Sequence, residues 1–195
     1  MGMEMGSVAI MAANLSARRA AAEKISGRMS AGPAPARPRG MTAPNRRVSM
    51  ATDRDDIRQA VDKLAQAIRR KDAAAVMALH AAEPVIYDLA PPLANSRTAA
   101  RDPSRLEAWF ATWRGDIAYE QRDLVIHQDG DLAVCHGFLR IGGTKVDGDG
   151  TATSVWTRQT LALRREAGAW RIFHVHESVP FHMDGSLRAA VELQP

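Results

Sequence analysis

The segment Trp170-Arg171-Ile172-Phe173-His174-Val175-His176-Glu177-Ser178-Val179-Pro180-Phe181 is rich in aromatic and β-branched side chains and stops at a proline. It reads as a strand that closes at Pro180. In a regular strand alternate side chains share a face, so Trp170, Ile172, His174 and His176 are expected on one side and Phe173 and Val175 on the other. With Trp170 and Ile172 filling the narrow end of a core, the two histidines would line its wider mouth. The period of two makes this assignment sensitive, since a displacement of one residue turns Phe173 and Val175 inward instead.

Working upstream, Glu166–Gly168 is a turn and residues 153–165 form the preceding strand. The Gly-rich stretch 142–150 reads as a long loop. Residues 132–141 and 117–127 are two more strands, joined at the tight-turn signal Asp129-Gly130. Before them the period changes. Ile57, Val61, Leu64 and Ile68 recur at helical spacing, with Thr52 or Asp53 as the cap and Asp55 and Asp56 suited to the positive helix start. Asp72 caps a second helix carrying Val76, Leu79 and His80, and residues 84–88 form a short strand. Asp102-Pro103 opens a third helix bearing Leu106, Trp109, Phe110 and Trp113. Helices first and antiparallel strands after them define an α+β fold, with about three N-terminal helices packed on one face of a curved sheet.

Composition bounds the function. The chain has 195 residues and a formal net charge of +4. Residues 1–50 hold 8 Lys+Arg against 2 Asp+Glu, so the basic excess belongs to them and the remainder carries a net −2. A folded part without clustered cations is not built to displace counterions from nucleic acid, and no such partner is expected. Residues 1–51, with Pro33, Pro35, Pro38 and Pro44 among Ala, Gly and Arg, read as a disordered basic extension. Seven of the nine methionines lie there, so Met41 and Met50 are alternative starts to Met1. The domain proper is expected over 52–195. A single cysteine, Cys135, excludes an intramolecular disulfide framework and makes a reducing cytoplasm the default compartment. No apolar run approaches the ~20 residues of a membrane helix, and no membrane partner is expected.

The quoted strand resembles the C-terminal signature of SnoaL-like proteins, which belong to the nuclear transport factor 2-like superfamily and include relatives of the ketosteroid isomerases and polyketide cyclases. Tyr87-Asp88-Leu89-Ala90-Pro91-Pro92-Leu93 and Trp156-Thr157-Arg158-Gln159-Thr160 match in the same order. The resemblance covers about residues 52–181. It implies a conical α+β barrel with a pocket between sheet and helices, usually a homodimer, and functions that run from isomerases and cyclases to non-catalytic association domains.

The same resemblance makes Asp88 the expected general base, since the isomerase aspartate falls at this position. A carboxylate suits proton abstraction beside a carbonyl when its surroundings match its pKa to the task; the alternative is an aspartate that holds its own loop. The isomerase tyrosine position is Leu64, and its protonated aspartic acid falls near Gln159 or Thr160, so steroid isomerisation is not implied. Acid or orienting roles fall to His174 and His176, and charge stabilisation to Arg158, with a salt bridge as its alternative. Tyr87, Trp109, Trp113, Trp156 and Thr160 are the expected pocket wall. A metal on the paired histidines would need a third ligand from Asp88, His80 or His136, and no ligand spacing supports one; neither metal nor cofactor is expected. Cys135 reads as a small buried hydrophobe. The expected partner is a small carbonyl or polyketide-like compound, either converted by acid–base chemistry or merely bound.

Overall fold

The computed structural model describes residues 46–95 and 98–195, with side chains from Asp53 onward; of the expected basic extension, residues 1–45 lie outside the described residues and residues 46–51 belong to the first helix. Helix α1 (Arg46–Arg69) is followed by α2 (Ala73–Leu79), strand β1 (His80–Tyr87), a 3-10 turn (Ala99–Arg101) and α3 (Pro103–Ala111). Four long strands complete the chain: β2 (Trp113–Asp129), β3 (Leu132–Lys145), β4 (Ala152–Glu166) and β5 (Ala169–Ser178). They form one sheet in the order β1-β5-β4-β3-β2. All neighbours are antiparallel except β1, which runs parallel to β5. The α+β expectation holds.

Local chemistry fixes the helix ends. Asp72 accepts from the Ala75 backbone N–H at 2.9 Å and so caps α2. Asp102 accepts from Ser104 N–H at 3.0 Å with Pro103 as the first helical residue of α3. The start of α1 differs from expectation: the helix already runs from Arg46, so Thr52 and Asp53 lie within it. The Asp53 carboxylate pairs instead with Arg165 on β4 and accepts from Gln128, which holds its pKa below the usual carboxylate range. Trp113 likewise belongs to β2 and not to α3. Gly142 and Gly143 lie inside β3, not in a loop. A Cβ on Gly142 would sit 2.6 Å from the Ser154 Cβ, so glycine is what lets β3 and β4 approach there.

The apolar face of α1 (Ile57, Val61, Leu64, Ala65, Ile68) covers the inner face of the sheet, packing with Ile126, Cys135, Leu161, Leu163, Ile172 and Val175. Cys135 is fully buried and its thiol is pushed up to about 11 by burial, as befits a packing residue. Two irregularities decide which later side chains join this face. In β2 the register with β3 slips between Arg122 and Val125, beside Asp123 at φ +55°. In β5 it slips opposite Ala162/Leu163: Leu163 pairs with Ile172 and Ala162 with His174, leaving Phe173 as the extra residue. Each bulge reverses the facing of every later residue on its strand.

Candidate functional site

The bulge at Phe173 reassigns the face of every later residue on β5. Trp170 and Ile172 point inward, but after Phe173 the buried position is Val175, and Glu177 comes next on that side. His174 and His176 turn to the outer face. There the Tyr87 ring meets both edge-on, at centroid distances of 5.2 and 6.0 Å, and His174 Nδ1 lies 3.0 Å from the Val85 carbonyl oxygen. The two histidines therefore do not share the face of Trp170 and Ile172. On β4 the buried residues are Thr157, Gln159, Leu161 and Leu163. Trp156, Arg158 and Thr160, expected at the pocket, share the outer face instead, with Arg158 exposed and the Arg122 guanidinium 4.8 Å above the Trp156 ring. Trp109 is half-buried and packs edge-on with buried Trp113 at 6.3 Å. The expected site residues are thus split between the two sides of the sheet.

The inner face instead holds a polar cluster that sequence reading passes over. Gln159 on β4 is its hub. Its Nε2 donates to the Tyr119 hydroxyl at 2.9 Å and to Glu177 Oε1 at 2.9 Å, while its Oε1 accepts from Gln121 Nε2 at 2.8 Å. The residue opposite Gln159 on β3 is Gly137, which leaves no side chain between the amide and β2. A Cβ there would lie 2.8 Å from the Arg122 carbonyl oxygen, in the bulge of β2. The glycine and the bulge together make room for this cross-sheet contact.

The electrostatics result from burial. Desolvation pushes the Glu177 carboxyl up to about 7; the Gln159 bond opposes the shift and the charge of Asp88 adds to it. The Tyr119 hydroxyl is pushed well above its usual range, chiefly by burial and then by Glu177, so it stays neutral. Asp88 comes directly after the Tyr87–His176 pair, placing it beside Glu177 where the parallel strands β1 and β5 end. It is exposed, and both its oxygens accept, from Ala90 N–H at 3.1 Å and Asn95 Nδ2 at 2.9 Å. Exposure grades along the cluster, from buried Tyr119, Thr157 and Gln159 through half-buried Gln121 and Glu177 to Asp88 at the rim. The direct partner of Glu177 in it is the neutral Gln159 amide.

An α+β sheet covered by helices on one face, with a polar cluster opening at one end, defines the class. Residues 57–182 match the SnoaL-like domain, and the chain belongs to that family. Similar solved structures carry the nuclear transport factor 2-like fold. One is a protein of unknown function from Pseudomonas putida, 28% identical, with a TM-score of 0.64 over 74% of this chain and 98% of the other. A candidate dehydratase from Streptomyces avermitilis is 17% identical, with a TM-score of 0.58 over 66% and 96% of the two chains. A candidate aromatic ring hydroxylase from Novosphingobium aromaticivorans is 20% identical, with a TM-score of 0.56 over 66% and 91%. At these last two identities the likeness concerns fold alone. No curated protein matches the sequence.

Proposed function

We propose that the inner face is a cofactor-independent acid–base site for a small, uncharged carbonyl or polyketide-like compound. The observation that carries this reading is Glu177, a half-buried carboxyl group on the inner face that accepts from Gln159 and is pushed up to about 7, with the Asp88 carboxyl group next to it at the rim. Asp88 keeps the role of base that the family resemblance gives it, taking a proton from carbon next to the carbonyl. Protonated Glu177 donates to the oxygen on which negative charge develops. It replaces His174 and His176 in that role, because they stand on the other face. Arg158 is also on the outer face, so the charge is met by a hydrogen-bond donor and not by a cation. The pair of acidic groups disfavours carboxylate and phosphate ligands.

The test is deuterium exchange at carbon adjacent to the carbonyl, followed by NMR over a panel of neutral cyclic ketones and 1,3-dicarbonyl compounds. The protein is expected to accelerate exchange for some of them. Glu177→Gln and Asp88→Asn should each cost on the order of a hundredfold or more, within the range of single acid–base groups, while His176→Gln should leave the rate unchanged. An equally active Glu177→Gln protein, or no exchange with any compound, overturns the reading.

A second reading, association between copies, is favoured by the outer sheet face, where Val125, Val134 and Phe138 are exposed next to half-buried Trp156. An apolar patch of this kind marks interaction surfaces. A homodimer joined there is expected to sediment as a dimer and to become monomeric in Val134→Asp/Phe138→Asp. Among the described residues no helix is long and apolar enough to cross a membrane.

A further inference from the structure

All six histidines of the chain lie among the described residues, and four of them stand on the outer sheet face. His127 and His136 form the tighter pair. His127 is opposite Val134 and His136 opposite Val125 in the β2–β3 ladder, which makes the two histidines diagonal neighbours on one face. Their Nε2 atoms are 3.4 Å apart, their ring centres 5.5 Å apart, and their planes within 19° of parallel.

These distances are compatible with two kinds of pair. One is a ring N–H···N hydrogen bond, in which one imidazole donates to the other at the long separation of 3.4 Å. Two imidazoles on one tetrahedral ion with metal–nitrogen bonds of about 2.0–2.1 Å place their nitrogens about 3.4 Å apart and their ring centres about 5.2 Å apart. The observed pair meets the first distance and misses the second by a few tenths of an ångström. The backbones beneath both rings are fixed in the ladder, while the rings are exposed and can turn about χ2 at little cost.

We infer that His127 and His136 form a two-imidazole chelate for a borderline divalent ion of the zinc, nickel or copper class, to which neutral imidazole is suited. Among the described residues no group of three or more His, Cys, Asp and Glu side chains could hold a metal. In the single chain water therefore completes the coordination, and the site lies on the outer sheet face, among the residues through which two copies would join and away from the acid–base cluster on the inner face. His174 and His176 supply the internal comparison. Their ring centres are 6.5 Å apart and tilted by 57°, too far for one tetrahedral ion without rearrangement.

The test is titration of the full chain with Zn²⁺ at pH 7.5, followed by equilibrium dialysis and by the imidazole NMR signals. One zinc ion per chain is expected, with the His127 and His136 signals moving together. His127→Gln and His136→Gln should each weaken binding at least about tenfold, with unchanged circular dichroism and thermal midpoint. His174→Gln/His176→Gln should bind as the native chain does. Failure of the native chain to bind zinc overturns the inference. So does equal affinity in His127→Gln, or a loss that tracks the His174/His176 pair.

Discussion

Replacing Glu177 by glutamine is expected to make the protein's stability less dependent on pH, and to raise it relative to the native chain above neutrality. The glutamine is nearly isosteric, and its Oε1 can still accept from Gln159 Nε2, so the network survives the change. What disappears is the proton. In the folded chain burial lifts the Glu177 carboxyl from 4.5 to about 7, whereas in the unfolded chain it titrates at its ordinary value. Below pH 4.5 both states are protonated and Glu177 contributes no pH dependence. Between about 4.5 and 7 the unfolded state has lost the proton that the folded state keeps. The folded state then binds more protons, so stability falls as pH rises through this window and levels off above it. At 1.36 kcal/mol per pKa unit the full loss is about 3 kcal/mol. Urea denaturation of both proteins from pH 4 to 8 measures it as a difference, in which the other titrating groups largely cancel. Parallel curves for the two proteins would show that the carboxyl group is not held near 7 in the fold.

That Glu177 faces inward is not legible in the sequence, and the reason is physical. Element order and most boundaries are legible because they rest on local chemistry. Asp72 and Asp102-Pro103 announce helix starts through their own side chains. Gly130, at φ +57°, announces the β2–β3 turn through a backbone that favours glycine. The helical spacing from Ile57 to Ile68 survives intact as the buried stripe of α1. Which face a strand residue takes is not local information once a bulge intervenes. Phe173 is an ordinary strand residue, and nothing in Ile172-Phe173-His174 marks it as the extra one opposite Leu163. That single extra residue turns His174 and His176 outward and Glu177 inward. The placement of Arg158 is recoverable. Leu161 and Leu163 share its strand in the opposite parity while Arg164 shares its own, so the face with two arginines is the outer one. Gln159 is not acidic, but it has the parity of those leucines. A buried glutamine needs partners, and that requirement is the available signal for the cluster.

Gln159→Leu should be among the most destabilising single changes on the inner face, at about 3 kcal/mol or more. Leucine fills nearly the same volume, so little of the cost arises from a cavity. The cost comes from the partners. The Gln159 amide makes three hydrogen bonds, to Tyr119, Gln121 and Glu177, and each group left buried without a partner costs about 1–3 kcal/mol. Half-buried Gln121 can turn toward water and recover part of its share. Tyr119, only 4% exposed, has no such escape. Glu177 responds differently, because the Gln159 bond is what opposes its burial. Without that bond the carboxyl group holds its proton to still higher pH, and the window of falling stability extends upward beyond 7. Two measurements check the argument. Urea denaturation should give the loss, and the variant's pH–stability curve should level off at a higher pH than that of the native chain. The double variant Gln159→Leu/Glu177→Gln separates the contributions: it removes the charge but not the orphaned tyrosine, so it should retain a substantial part of the loss at pH 6 and lose the pH dependence. A Gln159→Leu protein as stable as the native chain would mean that water replaces the amide throughout, and that the cluster is open to solvent along its whole length.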